Sequence, residues 1–249
     1  MLRWVRLFVR CQPICQSANS PKQLVYTVPQ VLIDCKRESA FIFNHLLTPM
    51  NRALFFSDLA KTPDAMSFKP EHEPGVERLR RRLGPLRGKR VLEPGCGSGP
   101  LTCRLADWVG REGRVLAADA CAEMAAHCST RLADCAHVQV LHAPVEDLDL
   151  PPATWDLVLC FRLFPHLDQP RRFLARCRDW LAPGGRLVIA HLEGSRQLNE
   201  WHAQRPGVCG DRMPSGTRLR RMLQADGWAV DTVTDDPLDF FLQARPVSE

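Results

Sequence analysis

Length, composition and charge favour one folded domain with extensions and exclude several classes of protein. Of the 249 residues, 45% are hydrophobic, which is enough to form a core. No run of 18 apolar residues occurs, so no transmembrane helix is predicted. Residues 1–47 hold six Lys or Arg and two Asp or Glu, so the rest of the chain carries only +1 of the net charge of +5 and lacks the charge typical of a nucleic-acid-binding surface.

Residues 1–47 are predicted to form a poorly structured extension. No acidic residue precedes Asp34, and three arginines alternate with apolar residues, which is typical of a transit peptide. The same pattern would arise if the stretch preceded a misplaced start codon, with Met50 as the true first residue.

Residues 48–89 are predicted to form a helical lead-in, with helices at 51–60 and 76–83 and a loop between them. The second helix belongs to an arginine-rich stretch, residues 78–90. We interpret that stretch as a solvated helix face, with a patch for an acidic partner as the alternative.

The most informative stretch begins where a short apolar strand, residues 90–94, ends. Three glycines then stand on alternate positions, Gly95, Gly97 and Gly99, and a helix is predicted to follow over 99–109. Glycine permits the tight turn and lets a ligand lie against the backbone, and the helix directs free N–H groups at it. The pattern predicts a nucleotide-type binding loop. A dinucleotide loop would need glycine at the place of Pro100, which disfavours a nicotinamide oxidoreductase.

Strands and helices alternate from residue 90 onward, which predicts a doubly wound parallel sheet with helices on both faces. The predicted strands are 90–94, 114–119, 137–142, 155–161, 185–191, 228–234 and 238–244. The predicted helices are 99–109, 121–134, 168–181 and 216–226, the last of them with Ser215 as its N-cap. Only three residues separate the last two strands, so these must form an antiparallel hairpin.

The eleven cysteines include no Cys-x-x-Cys pair, which disfavours a zinc ribbon or a thioredoxin motif. Cys121, Cys128 and Cys135 are spaced seven apart and are predicted to share one helix face. We interpret them as small apolar residues of a reduced, cytoplasmic protein.

Several segments together resemble the class I S-adenosylmethionine-dependent methyltransferases, in particular the ubiquinone/menaquinone-biosynthesis-like (type 11) enzymes. These are Glu93 to Gly99, the strand Trp155 to Phe161, the loop Leu163 to Asp168, and the Pro-Gly-Gly turn at 183–185. The resemblance covers about residues 90–244. It implies a Rossmann-like sheet of seven strands with an antiparallel last strand, in a methyltransferase domain spanning residues 90–249.

The resemblance also implies S-adenosyl-L-methionine as the cofactor and a set of residues that hold it. Asp119, at the end of the second strand, would bind the ribose, with a helix N-cap as its alternative role. Pro144 stands where relatives carry an acid, so adenine binding would fall to Val145 and Glu146. The complete predicted set is Glu93, Gly95, Cys96, Gly97, Gly99, Asp119, Ala120, Val145, Glu146, Cys160 and Phe161.

Three histidines, His166, His191 and His202, follow the predicted fourth and fifth strands and are the candidates for a catalytic base, His166 first. Arg196, Asn199 and His202 would form one polar face of a helix capped by Ser195. The alternatives are that these are ordinary polar surface or helix-packing residues, or that the three histidines bind a metal with Asp211. Their spacing matches no standard zinc motif, so no metal is predicted.

These patterns predict a cytoplasmic enzyme that methylates a small molecule. The motifs of nucleic-acid methyltransferases, Asn-Pro-Pro-Tyr/Phe and Pro-Cys, are absent, so nucleic acid is not expected as a partner. The alternative is a non-catalytic protein on the same fold that binds S-adenosylmethionine or handles a metal or metalloid.

Overall fold

A computed structural model of the chain describes residues 52–62, 64 and 66–247. The predicted extension and the alternative start at Met50 lie outside the described residues. Three short 3-10 turns occur, at Pro70–His72, Val145–Asp147 and Phe164–His166. The helices are α1 (residues 52–60), α2 (Glu73–Leu83), α3 (Pro100–Val109), α4 (Ala122–Arg131), α5 (Pro170–Trp180), α6 (Ser195–Ala203) and α7 (Gly216–Ala225). The strands are β1 (Arg90–Pro94), β2 (Arg114–Asp119), β3 (Val138–His142), β4 (Trp155–Phe161), β5 (Leu181–His191), β6 (Trp228–Asp236) and β7 (Asp239–Pro246).

The seven strands form one sheet in the order β3-β2-β1-β4-β5-β7-β6. Strands β1 to β5 pair in parallel, and β7 runs antiparallel to both β5 and β6. The predicted Rossmann-like sheet and the terminal hairpin are therefore confirmed. The strand order reverses between β1 and β4, which is where α/β sheets open a crevice at the carboxyl ends of their strands.

The core lies on both faces of the sheet because successive strand residues point to opposite sides. Leu92 of β1 is fully buried in a cluster that includes side chains of α5 and α7. Its neighbour Val91 is equally buried in a second cluster with side chains of α2 and α3. A strand that is apolar on both faces is typical of a covered parallel sheet.

Two predictions about helices are corrected by the structure. Helix α4 ends at Arg131, so Cys121 precedes it, Cys135 follows it, and only Cys128 lies on it. The three cysteines therefore do not share a helix face, although Cys128 is fully buried as expected of a core residue.

The arginine-rich helix α2 is less solvated than predicted. Arg78 and Arg82 reach Asp239 of β7, at 3.4 and 2.6 Å, and Arg80 lies over the ring of Trp108. These side chains attach α2 to the sheet hairpin and to α3.

Within the described residues, none of the helices is both long enough and apolar enough to cross a membrane.

Candidate functional site

A cavity of about 490 Å³ opens at the carboxyl ends of β1, β2 and β4, where the strand order reverses. Its volume lies within the range typical of small-molecule sites. Helix α1 covers one side of it through Arg52, Ala53, Phe56 and Ser57. Ser57 donates a hydrogen bond to Glu123 of α4 at 3.3 Å, so α1 is attached to the wall opposite β4.

The glycine loop forms the floor of this cavity. The N–H groups of Gly95 and Cys96 both donate to the carbonyl of Ala118, at 2.7 and 3.0 Å, which ties the loop to β2. Gly97 has φ of 53°, and a Cβ there would meet only Met66, at 3.7 Å, so its backbone is open to the cavity. Gly99 has φ of 89° and is also required for packing. A Cβ there would lie 2.8 Å from Cys128 Sγ and would push α4 away.

Asp119 links the glycine loop to the start of α4. Its Oδ2 accepts the N–H of Gly97 at 2.8 Å, and its Oδ1 accepts the N–H of Cys121 at 2.9 Å. Cys121 is itself the N-cap of α4, so Asp119 supports the helix entrance without being its cap. Burial raises the pKa of Asp119, and the two backbone hydrogen bonds oppose that rise. Each carboxylate oxygen retains a lone pair, so the side chain can still accept two ligand hydroxyls.

Six of the predicted cofactor residues line the cavity: Gly95, Gly97, Asp119, Ala120, Val145 and Glu146. The other five, Glu93, Cys96, Gly99, Cys160 and Phe161, are not part of its lining, and their contact with a cofactor stays a prediction. Glu93 is only 2% exposed. Burial, together with the nearby Cys128 and Asp119, raises its pKa to about 8 against an opposing hydrogen bond with Thr102. It is therefore mainly a neutral acid at neutral pH.

His166 reaches the cavity from the 3-10 turn that follows β4. Its backbone N–H donates to the carbonyl of Leu163 at 2.8 Å, which fixes the turn. Its Nδ1 donates to Asp211 Oδ2 at 2.6 Å, and the edge of Phe56 packs on its ring. The hydrogen bond to Asp211 leaves Nε2 as the ring nitrogen that can accept a proton.

Arg52 of α1 holds the other side of Asp211. Its Nε and Nη2 donate to the two Asp211 oxygens at 3.0 and 2.7 Å, and its Nη1 donates to Asp168 at 2.7 Å. Burial alone would raise the pKa of Asp211, but the hydrogen bonds from His166 and Arg52 outweigh it and hold the pKa below its usual range. Asp211 is therefore a carboxylate in the buried wall behind His166.

No sequence pattern predicts this arrangement. Arg52 and Asp211 are 159 residues apart, and the sequence suggests Asp211 only as a metal ligand. Their pairing depends on how α1 packs over the sheet, which no local pattern encodes.

His202 and His191 lie behind the cavity wall and are not among the residues that line it. His202 Nδ1 donates to the backbone carbonyl of Asp211 at 3.0 Å, and burial lowers the pKa of this histidine to about 4. His191 is 2% exposed, and both of its ring nitrogens are buried without a partner in the described structure. Burial holds the pKa of His191 well below its ordinary value. Of the three predicted base candidates, only His166 faces the cavity.

The polar face predicted on α6 has a structural role instead. Asn199 bonds to the carbonyl and the N–H of Met213, at 2.9 and 2.8 Å, and His202 bonds to Asp211. Together they hold the segment that presents the Asp211 carboxylate. The predicted N-cap is wrong, because Gly194 caps α6 and the Ser195 hydroxyl donates to Asp235 at 2.7 Å.

Arg162 is a cavity residue that sequence reasoning missed. It follows β4 directly, and its φ of 55° places it in the left-handed region. That conformation costs a non-glycine residue about 1–2 kcal/mol. Its N–H donates to the carbonyl of Ala190 at 2.9 Å, which joins the strained residue to β5.

A metal centre finds no support in the described residues, where no group of three or more His, Cys, Asp or Glu side chains is arranged to hold an ion.

The family comparison identifies the class of domain that this fold and site define. Residues 92–189 match the family model described as a methyltransferase domain. The match spans β1 to β5 and contains the glycine loop, Asp119 and His166. It confirms the resemblance to S-adenosylmethionine-dependent methyltransferases that the sequence motifs predict.

Individual relatives carry the same assignment. An uncharacterized methyltransferase of Mycobacterium tuberculosis is 34% identical, over 51% of this chain and 62% of its own length. A ubiquinone biosynthesis O-methyltransferase of Idiomarina loihiensis is 31% identical, over 59% of this chain and 61% of its own. The chain thus matches less than two thirds of each of these relatives.

A solved structure described as a DhpI-SAM-HEP complex is also similar. It shares 25% identity with a TM-score of 0.61, over 80% of this chain and 98% of that one.

Proposed function

We propose that this protein is an S-adenosylmethionine-dependent methyltransferase that transfers a methyl group to a small-molecule acceptor, with His166 as the general base. The observation that carries the proposal is the placement of the His166–Asp211 pair in the wall of the same cavity whose floor is the glycine loop. A cofactor subsite and a proton acceptor thus meet in one space.

The described residues fit the cofactor. The open backbone at Gly97 can receive its methionine end, and the Asp119 carboxylate has free acceptor capacity for both ribose hydroxyls. Val145 and Glu146, on the 3-10 turn after β3, lie where the adenine would extend. S-adenosylmethionine supplies an activated methyl group, so the protein has to align, desolvate and deprotonate.

The protein's own residues account for the deprotonation of the acceptor. Asp211 accepts the Nδ1 proton of His166 and so orients the ring with Nε2 as the nitrogen that would accept the proton. An acceptor hydroxyl bound in the cavity would give its proton to Nε2 as its oxygen takes the methyl group. Asp211 stabilises the imidazolium that results, and Arg52 keeps that carboxylate ionised and in place.

A small acceptor fits the enclosure of the site. Helix α1 covers one side of the cavity, and apolar side chains contribute to its lining, including Phe56, Met66 and Leu167. A partly covered, mainly apolar cavity of this volume suits a small molecule.

Calorimetry with S-adenosylhomocysteine and with NAD tests the cofactor assignment. We expect binding of the first and not of the second, and preference for NAD would overturn the proposal. Methyl transfer is then measured with a panel of small phenols, hydroxy acids, amines and thiols, by the S-adenosylhomocysteine that is formed.

Single histidine variants test the base. His166→Asn should abolish turnover and leave S-adenosylhomocysteine binding intact, whereas His191→Asn and His202→Gln should retain turnover in the fraction of protein that folds. Full turnover in His166→Asn would contradict the assignment. Cofactor binding without methyl transfer to any acceptor would favour the alternative of a non-catalytic binding protein.

A further inference from the structure

Arg162 differs from the other arginine of the cavity in having no acidic partner among the described residues. Arg52 is neutralised by Asp211 and Asp168, at 2.7 Å each. The Arg162 guanidinium makes no hydrogen bond or ion pair with any side chain or backbone group in the described part of the chain, although it lines the same cavity and is only partly exposed.

Three of the four described acids that line the cavity are engaged elsewhere. Asp119 accepts two backbone N–H groups, Glu123 accepts from Ser57 and Cys121, and Asp168 accepts from Arg52. The fourth, Glu146, forms no ion pair with Arg162. Arg162 is therefore a cation held at a ligand site in a strained backbone conformation, with the donors of its planar fork available. Strain of this kind is typical of positions that serve a ligand.

We infer that Arg162 is a carboxylate-binding residue of this cavity, and that the methyl acceptor is an apolar-bodied small molecule bearing a carboxylate. A guanidinium presents parallel N–H donors that match the two oxygens of a carboxylate. The surrounding Phe56, Leu163 and Leu167 would contact the apolar body, and His166 would face the nucleophilic group. The inference rests on the proposed function, since it names the acceptor of that same site.

A second carboxylate is possible at this place. Arg162 lines the same cavity as Gly95 and Gly97, and the next residue, Leu163, packs on the loop with its Cδ1 2.8 Å from where a Cβ at Gly95 would lie, so the residue is close to the loop proposed to hold the methionine end of the cofactor. The carboxylate of the cofactor and that of the acceptor share one chemistry, and the test has to separate them.

Two variants and one control suit the backbone at this position. Arg162→Asn removes the charge and tolerates the left-handed conformation, whereas Arg162→Lys keeps the charge and loses the fork. Arg87→Gln is the control, because Arg87 is exposed and pairs only with Glu112 on the surface. Melting temperatures verify that each variant is folded.

The acceptor arm uses benzoate, 3-phenylpropionate and hexanoate, each compared with its primary amide, by calorimetry with and without saturating S-adenosylhomocysteine. The wild type should bind at least one acid about 10- to 100-fold more tightly than its amide. Arg162→Asn should lose that preference, Arg162→Lys should keep part of it, and Arg87→Gln should keep all of it.

The cofactor arm compares S-adenosylhomocysteine with 5′-methylthioadenosine, which lacks the amino-acid part. If Arg162 holds the cofactor carboxylate, Arg162→Asn weakens the binding of S-adenosylhomocysteine only. That result would keep Arg162 as a carboxylate-binding residue but overturn the inference that the methyl acceptor bears a carboxylate. If neither arm changes in Arg162→Asn, the carboxylate site itself is overturned while the proposed function stands. Failure of the wild type to bind S-adenosylhomocysteine would instead overturn the proposed function.

Discussion

Asp211 Oδ2 lies 2.6 Å from His166 Nδ1, although 45 residues separate the two in the chain. The carboxylate is 1% exposed and the imidazole 12%, so the hydrogen bond is screened from water while the histidine still reaches the cavity. A buried carboxylate fixed behind a partly exposed histidine is the arrangement that gives a general base a single tautomer.

Replacing Asp211 should remove this orientation. We expect Asp211→Asn to lower kcat by about 10²- to 10⁴-fold, because the amide no longer holds the Nδ1 proton and Nε2 ceases to be a reliable acceptor. Since the change also leaves the Arg52 guanidinium without its buried partner, the free energy of unfolding should fall by about 3–5 kcal/mol. Steady-state kinetics and urea denaturation measure the two effects.

Asp168→Asn is the matched control, because it removes the exposed partner of the same Arg52. With Asp168 61% exposed, the expected loss is at most about 1 kcal/mol, and kcat should be retained. Equal kcat values for the two variants would show that Asp211 does not position the base.

Asp119→Asn should weaken S-adenosylhomocysteine binding by about 10- to 100-fold. An amide can accept only one of the two N–H groups, from Gly97 and Cys121, that the carboxylate now accepts, and it offers the ribose fewer acceptors. Calorimetry measures the affinity. Asp156→Asn is the control, because Asp156 also accepts a backbone N–H, from Arg90 at 2.8 Å, but at the opposite ends of the strands. Unchanged affinity in Asp119→Asn would exclude the ribose role.

Gly99→Ala should be more destabilising than Gly88→Ala. Both glycines have positive φ, 89° and 73°, so each alanine has a backbone cost of about 1–2 kcal/mol, and a Cβ at Gly88 would meet nothing within 4 Å. Only the Gly99 Cβ would collide with α4, at 2.8 Å from Cys128 Sγ and 3.2 Å from its Cα, which should add about 1–3 kcal/mol. Thermal unfolding of the two variants measures the difference, and equal melting temperatures would contradict the packing role given to Gly99.

His202 should make the protein less stable as the pH falls. Burial lowers its folded-state pKa to about 4 from the ordinary value of 6.5. Between these values the unfolded chain binds more protons than the folded one, so the free energy of unfolding rises with pH. The contribution is complete above pH 6.5 and is lost as the pH falls toward 4. His202→Gln, which keeps a donor for the Asp211 carbonyl, should show a smaller drop in urea midpoint between neutral pH and about pH 5. An unchanged drop would argue against this origin.

Glu93 should make the protein less stable as the pH rises, which is the opposite of the effect of His202. Its folded-state pKa is raised to about 8 from 4.5, mainly by burial, so the folded protein holds a proton that the unfolded chain releases. The free energy of unfolding should therefore fall as the pH rises from 4.5 to about 8. Above pH 6.5 this effect is separate from that of His202. Urea denaturation of Glu93→Gln should show a flatter dependence there, and a slope identical to that of the wild type would mean that Glu93 is ionised in the fold.

The sequence by itself determined the sheet and the position of the glycine loop and of Asp119 at the carboxyl ends of its strands. Apolar strands alternating with helices dictate a covered parallel sheet, and the three glycines specify left-handed turns that other residues adopt only at a cost. Asp119 could be assigned because parallel strands bring their carboxyl ends to one edge, so its place followed from the strand pattern.

The tertiary structure alone decided how the histidines are arranged around the cavity. The sequence offered three histidines, His166 first, and packing placed His166 in the cavity and buried His191 and His202 behind it. Arg52 meets Asp211 across 159 residues, and the strain and missing counter-charge of Arg162 exist only in the folded chain. Local periodicity reports which face of an element is buried, whereas contacts between distant side chains depend on how whole elements dock, and that information is spread over the entire core.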